Sequence, residues 1–152
     1  MNISFKKIDH INIVVKNLEE AKKFFIKFGF VVQKDGLLEG KWIDTLTRLK
    51  NVKAEYVALR LPDGETNLEL LKFINPENLS TCDNDVINKT GFRHMAFEVR
   101  NIEKVVDDLK EQGIEFLSPV QEYKETNKKL CYLKGPEGIV LELAEYNKKI
   151  KD

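Results

Sequence analysis

The chain has few of the residues that signal secretion or a thiol-based active site. Only two cysteines, Cys82 and Cys131, occur in 152 residues, which is too few for a disulfide scaffold and fits a reducing cytoplasm. Neither has a histidine beside it, so a catalytic thiol is not expected. No apolar run approaches the roughly 20 residues of a membrane span, and the first residues lack the apolar segment of a signal peptide. We therefore expect a cytoplasmic protein that does not enter a membrane.

An excess of charge of one sign is also missing. The 25 basic and 25 acidic residues cancel to a formal net charge of zero. Nucleic acids and anionic membrane surfaces favour basic partners, so neither is an expected partner of this chain. Hydrophobic residues make up 42% of the sequence and charged residues 33%, proportions that predict an ordinary globular protein.

Histidine is equally scarce, and its two copies occupy matching positions. His10 lies near the start of the stretch Ile8–Val15, and His94 lies near the start of the stretch Gly91–Val99. Both stretches alternate in a way that is typical of a β-strand with one apolar face. Each histidine lies on the opposite, mixed face of its strand.

The same residue types follow both histidines at the same spacing. Asn17 and Asn101 each come seven residues after a histidine and are good helix N-caps. Gly29 and Gly113 each come 19 residues after a histidine and fit the position that ends a helix. The sequence therefore predicts one helix after each histidine-bearing strand.

A turn and a glutamate complete each copy. Pro62 lies seven residues before Glu69, and Pro136 lies six residues before Glu142. Each proline belongs to a Pro-x-Gly turn, and each glutamate lies within an apolar strand pattern. We interpret the chain as one β-α-β-β-β unit used twice.

This repeat predicts an α+β protein. We expect module 1 at about residues 5–74, a linker at about 75–90 and module 2 at about 91–146, within one domain covering residues 1–152. The first module is longer, and its extra residues fall in the less regular segment 33–54. The strands predicted after the two helices are Phe30–Val32, Glu55–Leu61 and Thr66–Phe73 in module 1, and Ile114–Leu117, Lys129–Leu133 and Ile139–Ala144 in module 2. A polar loop is predicted at residues 118–128.

The two glutamates have apolar neighbours on both sides, so we expect both to be buried. A buried carboxylate needs a cation or hydrogen-bond donors, and a nearby Lys or Arg is the simplest alternative to a metal. Two histidines and two glutamates form a mixed nitrogen and oxygen set that suits Zn²⁺, Ni²⁺, Co²⁺, Mn²⁺ or Fe²⁺. The hypothesis is that one such divalent metal ion is bound by His10, Glu69, His94 and Glu142.

This ligand set favours a particular chemistry. A dication with open positions can hold two oxygens of a substrate and stabilise the negative charge of an enolate. A ligand carboxylate that detaches becomes a base beside that substrate. Proton abstraction next to a carbonyl is therefore the expected reaction.

The segments that carry these residues resemble a known family, the vicinal oxygen chelate superfamily, over about residues 5–146. The matching segments are Asp9–Ile11, Asn67–Leu70, Arg93–Phe97 and Gly135–Leu143. The superfamily includes glyoxalase I, methylmalonyl-CoA epimerase, fosfomycin-resistance thiol transferases, extradiol dioxygenases and bleomycin-binding proteins. The resemblance implies the glyoxalase/bleomycin resistance/dihydroxybiphenyl dioxygenase fold, in which two modules form a cupped mixed sheet around a metal. It implies the same four metal ligands, and Glu69 or Glu142 as the catalytic base.

Among these members, glyoxalase I and methylmalonyl-CoA epimerase fit best, because glyoxalase I has the same four-ligand pattern and His94-Met95-Ala96 is similar to the second histidine motif of the epimerase. Both resemblances imply proton abstraction through a metal-stabilised enediolate. The expected function is a metal-dependent lyase or isomerase with a small-molecule substrate, acting as a homodimer. Phe73 replaces an Asn that helps to hold glutathione in similar bacterial glyoxalases, so glutathione and coenzyme A both stay open. The alternatives are a thiol transferase of the fosfomycin-resistance type and a non-enzymatic protein that sequesters a small molecule such as an antibiotic. Candidate pocket walls are Trp42, Tyr56, Phe73 and Tyr132.

Overall fold

The computed structural model describes residues 5–78, 80 and 87–146. The chain divides into two compact units, Met1–Ser80 and Thr81–Asp152. Cys82 lies outside the described residues. Each unit contains one mixed sheet.

In unit 1, the first and last strands are parallel neighbours. Its elements are β1 (His10–Val14), α1 (Leu18–Lys27), β2 (Val31–Glu39), α2 (Lys41–Thr47), β3 (Lys53–Arg60) and β4 (Asn67–Asn75). The strand order in the sheet is β1-β4-β3-β2. The pair β1 and β4 is parallel, while β3 is antiparallel to both β4 and β2. The histidine strand is therefore hydrogen-bonded directly to the strand that carries Glu69.

Unit 2 repeats this arrangement. Its elements are β5 (His94–Glu98), α3 (Ile102–Glu111), β6 (Gln121–Tyr123), β7 (Lys128–Lys134), a short 3-10 turn (Pro136–Gly138) and β8 (Val140–Tyr146). The strand order is β5-β8-β7-β6, and the pair β5 and β8 is parallel. The predicted α+β fold of two β-α-β-β-β modules is confirmed.

The helix ends match the prediction from spacing. The side-chain oxygens of Asn17 and Asn101 accept hydrogen bonds from backbone N–H groups three residues later, at 3.1 and 3.3 Å. Gly29 and Gly113 follow the two helices with φ of +86° and +81°, a left-handed conformation that glycine adopts without steric cost. Both helices therefore begin and end where the sequence pattern places them.

The core of each unit lies between its long helix and one face of its sheet. Leu68 and Leu70 are fully buried on β4, and they alternate with Glu69. The buried residues of α1 are Leu18, Ala21 and Phe25, and those of α3 are Ile102, Val106 and Leu109. Because successive residues of a strand point to opposite faces, packing the leucines on the helix directs the glutamate to the other face.

Two strands differ from the prediction. The predicted strand Ile114–Leu117 is wrong, because Phe116 makes a single bridge with Leu133. The strand β6 lies instead within the predicted loop at 118–128. β2 also continues to Glu39 through residues that the pattern leaves irregular. The reason is the same in both places: backbone pairing with a neighbouring strand holds an exposed edge strand that shows no apolar alternation.

Candidate metal site

The register of unit 2 brings a predicted histidine and glutamate together. Ala96 is paired with Glu142, and His94 is two residues before Ala96, so the two side chains share one face of the sheet. His94 Nε2 lies 3.1 Å from Glu142 Oε2. The Glu142 side chain is 5% exposed and that of His94 is 34% exposed, which confirms the predicted burial of this carboxylate.

A third residue, Lys128, completes this cluster and was not predicted. Lys128 Nζ donates to Glu142 Oε1 at 2.7 Å, and this hydrogen bond raises the pKa of Lys128 above its usual value. The ammonium also lies 5.5 Å from the centre of the Tyr146 ring. Glu142 therefore has the nearby lysine that was the simplest alternative to a metal. The sequence does contain a signal for this residue. Lys128 is four residues before Tyr132 in the strand that precedes the Pro136–Gly138 turn, so strand alternation places both on the same face.

Unit 1 has the same register with different partners. Asn12 is paired with Glu69, and His10 is two residues before Asn12. Asn12 Nδ2 donates to Glu69 Oε1 at 2.8 Å. His10 Nδ1 lies 2.8 Å from Asp9 Oδ2. This contact raises the pKa of His10, and the negative charge of Glu69 raises it further.

The expected burial of Glu69 is wrong, since its side chain is partly exposed. The neighbouring strand explains the difference. Ala58 on β3 is paired with Glu69, whereas Tyr132 on β7 is paired with Glu142. A methyl group covers less of a carboxylate than a phenol ring does, so the glutamate of unit 1 keeps access to solvent.

The residues of each unit were tested for their fit to a metal ion. Two ligand atoms at right angles on a six-coordinate ion, with bonds of about 2.1 Å, lie about 3.0 Å apart, close to the 3.1 Å between His94 and Glu142. In unit 1, the contact between Asp9 and Nδ1 leaves Nε2 of His10 as the ligand atom, the orientation that carboxylates impose on metal-binding histidines. The side-chain oxygen of Asn67, paired with His10, is buried without a hydrogen-bond partner. These features fit a divalent ion.

No group of three His, Cys, Asp or Glu side chains that could hold a metal occurs within residues 5–78, 80 and 87–146. The predicted ligands fall two in each unit, so each unit by itself supplies one histidine and one glutamate. Each pair provides half of the predicted ligand set.

The other candidate residues lie in different environments. The Tyr132 ring centre lies 5.2 Å from that of His94, so this tyrosine lies beside the cluster. Tyr56 and Phe73 pack against a second apolar cluster of unit 1, formed by Ile43, Val52, Ala54 and Leu71 on the face of Glu69, and Trp42 is 57% exposed. Cys131 is buried, and burial raises the pKa of its thiol, which makes it a poor nucleophile.

The comparison with protein families decides the membership. The model of the glyoxalase/bleomycin resistance protein/dioxygenase superfamily matches residues 7–143. The chain belongs to this superfamily. Its match includes both histidines and both glutamates, so the resemblance based on the motifs is confirmed.

Similar members of the superfamily agree over nearly the whole chain. The uncharacterised protein YwkD of Bacillus subtilis is 30% identical over 141 residues, covering 92% of this chain and 97% of that protein. A crystal structure of a glyoxalase family protein from Bacillus cereus is 30% identical with a TM-score of 0.87, covering 95% of this chain and 96% of that one. A glyoxalase family protein from Enterococcus faecalis is also 30% identical, with a TM-score of 0.68 and coverage of 93% and 98%.

The lengths of the helices bear on the expectation that the chain does not enter a membrane. Among the residues that the structure describes, no helix is long and apolar enough to cross a membrane. The longest helices in this described part of the chain, α1 and α3, have ten residues each.

Proposed function

We propose that this superfamily member is a metal-dependent lyase or isomerase that removes a proton next to a carbonyl group. The observation that carries the proposal is the repeated register, which places a histidine and a glutamate on the same face of each sheet. The proposed metal ligands are His10, Glu69, His94 and Glu142. A bound divalent ion supplies a Lewis acid for a substrate carbonyl and for the negative charge that develops on it.

The side chains around the ligands have separate tasks. Asp9 orients the His10 ring by binding its Nδ1. Tyr132 packs on His94, and the ring together with β7 keeps water away from Glu142. A carboxylate then accepts the substrate proton, and the two candidates are Glu69 and Glu142.

The two candidate bases differ in their freedom to move. Glu69 is partly exposed and accepts one hydrogen bond from the neutral amide of Asn12. Glu142 is buried and contacts the ring of His94 and the ammonium of Lys128. The substrate classes that suit this chemistry are thiohemiacetals of 2-oxoaldehydes and acyl-CoA thioesters, because both carry an acidic C–H beside a carbonyl oxygen.

Elemental analysis of the purified protein, before and after chelation, tests the ligand set. We expect about one divalent transition-metal ion per chain, and its loss in His94→Ala and Glu142→Gln. Glu122→Gln, on the exposed strand β6, is the matched control and should keep the metal. Unchanged stoichiometric metal in both ligand variants would refute the proposal.

Solvent deuterium exchange, followed by proton NMR on the loaded protein, tests the reaction. Incubation in D₂O with the methylglyoxal–glutathione thiohemiacetal or with methylmalonyl-CoA should replace the proton next to the carbonyl. Glu69→Gln tests the base: a variant that keeps the metal and loses exchange has lost the proton acceptor, whereas a variant that keeps both the metal and the exchange leaves Glu142 as the base. A loaded protein that exchanges neither substrate would count against this function.

One observation favours a second candidate function, a metal-free binding protein that sequesters a small molecule. The ammonium of Lys128 already provides the cationic partner that the buried Glu142 requires. Tight binding of a small molecule without turnover, unaffected by a chelator, would support this alternative.

A further inference from the structure

The two units of the internal repeat differ at the position of Lys128. Tyr132 and Ala58 occupy equivalent positions beside the two glutamates, and four residues earlier on each strand lie Lys128 and Ala54. Ala54 is fully buried in the apolar cluster that it forms with Ile43, Val52 and Leu71. A cation beside the glutamate is therefore a feature of unit 2, whereas Glu69 has the neutral Asn12 as its partner.

The two carboxylate oxygens of Glu142 have different partners. Oε1 accepts the hydrogen bond from the Lys128 ammonium at 2.7 Å. Oε2 faces His94 Nε2 at 3.1 Å. The Lys128 side chain is 21% exposed, and its ammonium is further held over the ring of Tyr146. A partly buried cation with two attachments does not leave its carboxylate at low cost.

We propose that Lys128 is a positioning residue that holds Oε1 of Glu142, so that this carboxylate offers Oε2 alone to a metal ion. The inference rests on the proposed metal-dependent function and adds a role that the ligand set does not contain. A carboxylate can bind a cation through one oxygen or through both. Holding one oxygen on an ammonium keeps a coordination position open for the substrate.

The contact between Lys128 and Glu142 should measurably lower the affinity of the site for a metal ion. The positive charge of Lys128 repels a dication bound to the same carboxylate. Removal of the ammonium therefore strengthens metal binding and lets Glu142 bind through both oxygens. A lysine with only a structural role would weaken binding when it is removed, as loss of an outer partner of a ligand usually does.

Titration of the metal-free protein with Co²⁺, followed by visible absorption, tests this role. We expect Lys128→Met to bind Co²⁺ at least about tenfold more tightly than the wild type and to change the shape of the absorption bands. Lys128→Arg keeps the charge and should resemble the wild type. Lys129→Met is the matched control, because Lys129 is adjacent on β7 and pairs with Glu103 instead.

The outcomes separate this inference from the proposed function. A wild type that binds no Co²⁺ overturns both. Stoichiometric binding by the wild type, with unchanged or weaker binding in Lys128→Met, overturns the role of Lys128 alone. If Lys128→Met does not fold, infrared difference spectra of the wild type on Co²⁺ binding replace it, with Glu69→Gln to remove the bands of the other proposed carboxylate ligand. Bands typical of coordination through both oxygens would then overturn the inference, and bands typical of one oxygen would support it.

Discussion

At the scale of single residues, the two glutamates show how one register produces two environments. Both are paired with a small residue on the histidine strand, Asn12 or Ala96. The strand on the other side contributes Tyr132 and Lys128 in unit 2, and small residues in unit 1. Burial and charge partners thus depend on the neighbouring strand rather than on the strand that carries the glutamate.

The contact between Asp9 and His10 makes the titration of His10 predictable. The hydrogen bond to Asp9 raises the pKa of His10 above its ordinary value of 6.5. Proton NMR of the metal-free protein should therefore give a midpoint for His10 above that value, and Asp9→Asn should lower it. A raised pKa in the folded state stabilises the protein fully below the unfolded pKa, and this stabilisation is lost as pH rises through the folded pKa.

Urea unfolding measured below and above the folded pKa of His10 checks the direction of this pH dependence. Stability differences between the wild type and Asp9→Asn should be present at pH 5 and should shrink above the folded pKa of His10. Equal midpoints for His10 in both proteins would contradict the role of Asp9.

The four proposed ligand positions follow from spacing, because the repeat fixes distances along the chain. Their partners do not follow in the same way. Lys128, Asn12 and Asn67 act through strand register, and register becomes clear only when turns and pairings are known. The burial of Glu69 was predicted wrongly because apolar sequence neighbours describe the opposite face of its strand.

At the scale of elements, the helices are encoded locally and the edge strands are not. The caps and terminal glycines of α1 and α3 are visible in the sequence, since each acts within a few residues. The polar residues of β2 and β6 form strands because a neighbouring strand supplies hydrogen bonds. An analysis of apolar periodicity therefore finds the central strands and misses or shortens the edges.

Substitution of the two cap residues tests the local encoding. Asn17→Ala should lower the free energy of unfolding by about 1 kcal/mol, because one backbone N–H of α1 loses its acceptor. Asn101→Ala should cost at least as much, since Asn101 has φ of +55°, which alanine adopts poorly. Urea denaturation measures both.

Asn17→Asp is the control for this experiment, because an aspartate also caps a helix and should leave stability nearly unchanged. A loss in Asn17→Asp as large as that in Asn17→Ala would show that the cap hydrogen bond is not the cause.

At the scale of the whole molecule, the homodimer stays a prediction, and unit 1 offers a surface to test it. Trp42 and Leu46 are exposed and lie one turn apart on α2, with Leu46 71% exposed. Exposed apolar groups of this kind mark contact surfaces. Sedimentation equilibrium should give twice the mass of one chain, and Leu46→Lys should shift it toward one chain without loss of folding stability.

Thr45→Lys adds the same charge to the same helix and should leave the mass unchanged. Wild-type protein that sediments with the mass of one chain would contradict the homodimer. Dimers that resist Leu46→Lys would place the interface elsewhere.

The parallel pairing of the first and last strand in each unit also governs the order of assembly. His10 meets its partner strand only after a loop of more than fifty residues has closed between Ile11 and Leu68, and long-range closure of this kind slows folding. On the ribosome, the first sheet stays incomplete until β4 has emerged, and the second until β8 has emerged. A nascent chain therefore acquires its histidine and glutamate pairs one unit at a time, each as the last step of that unit.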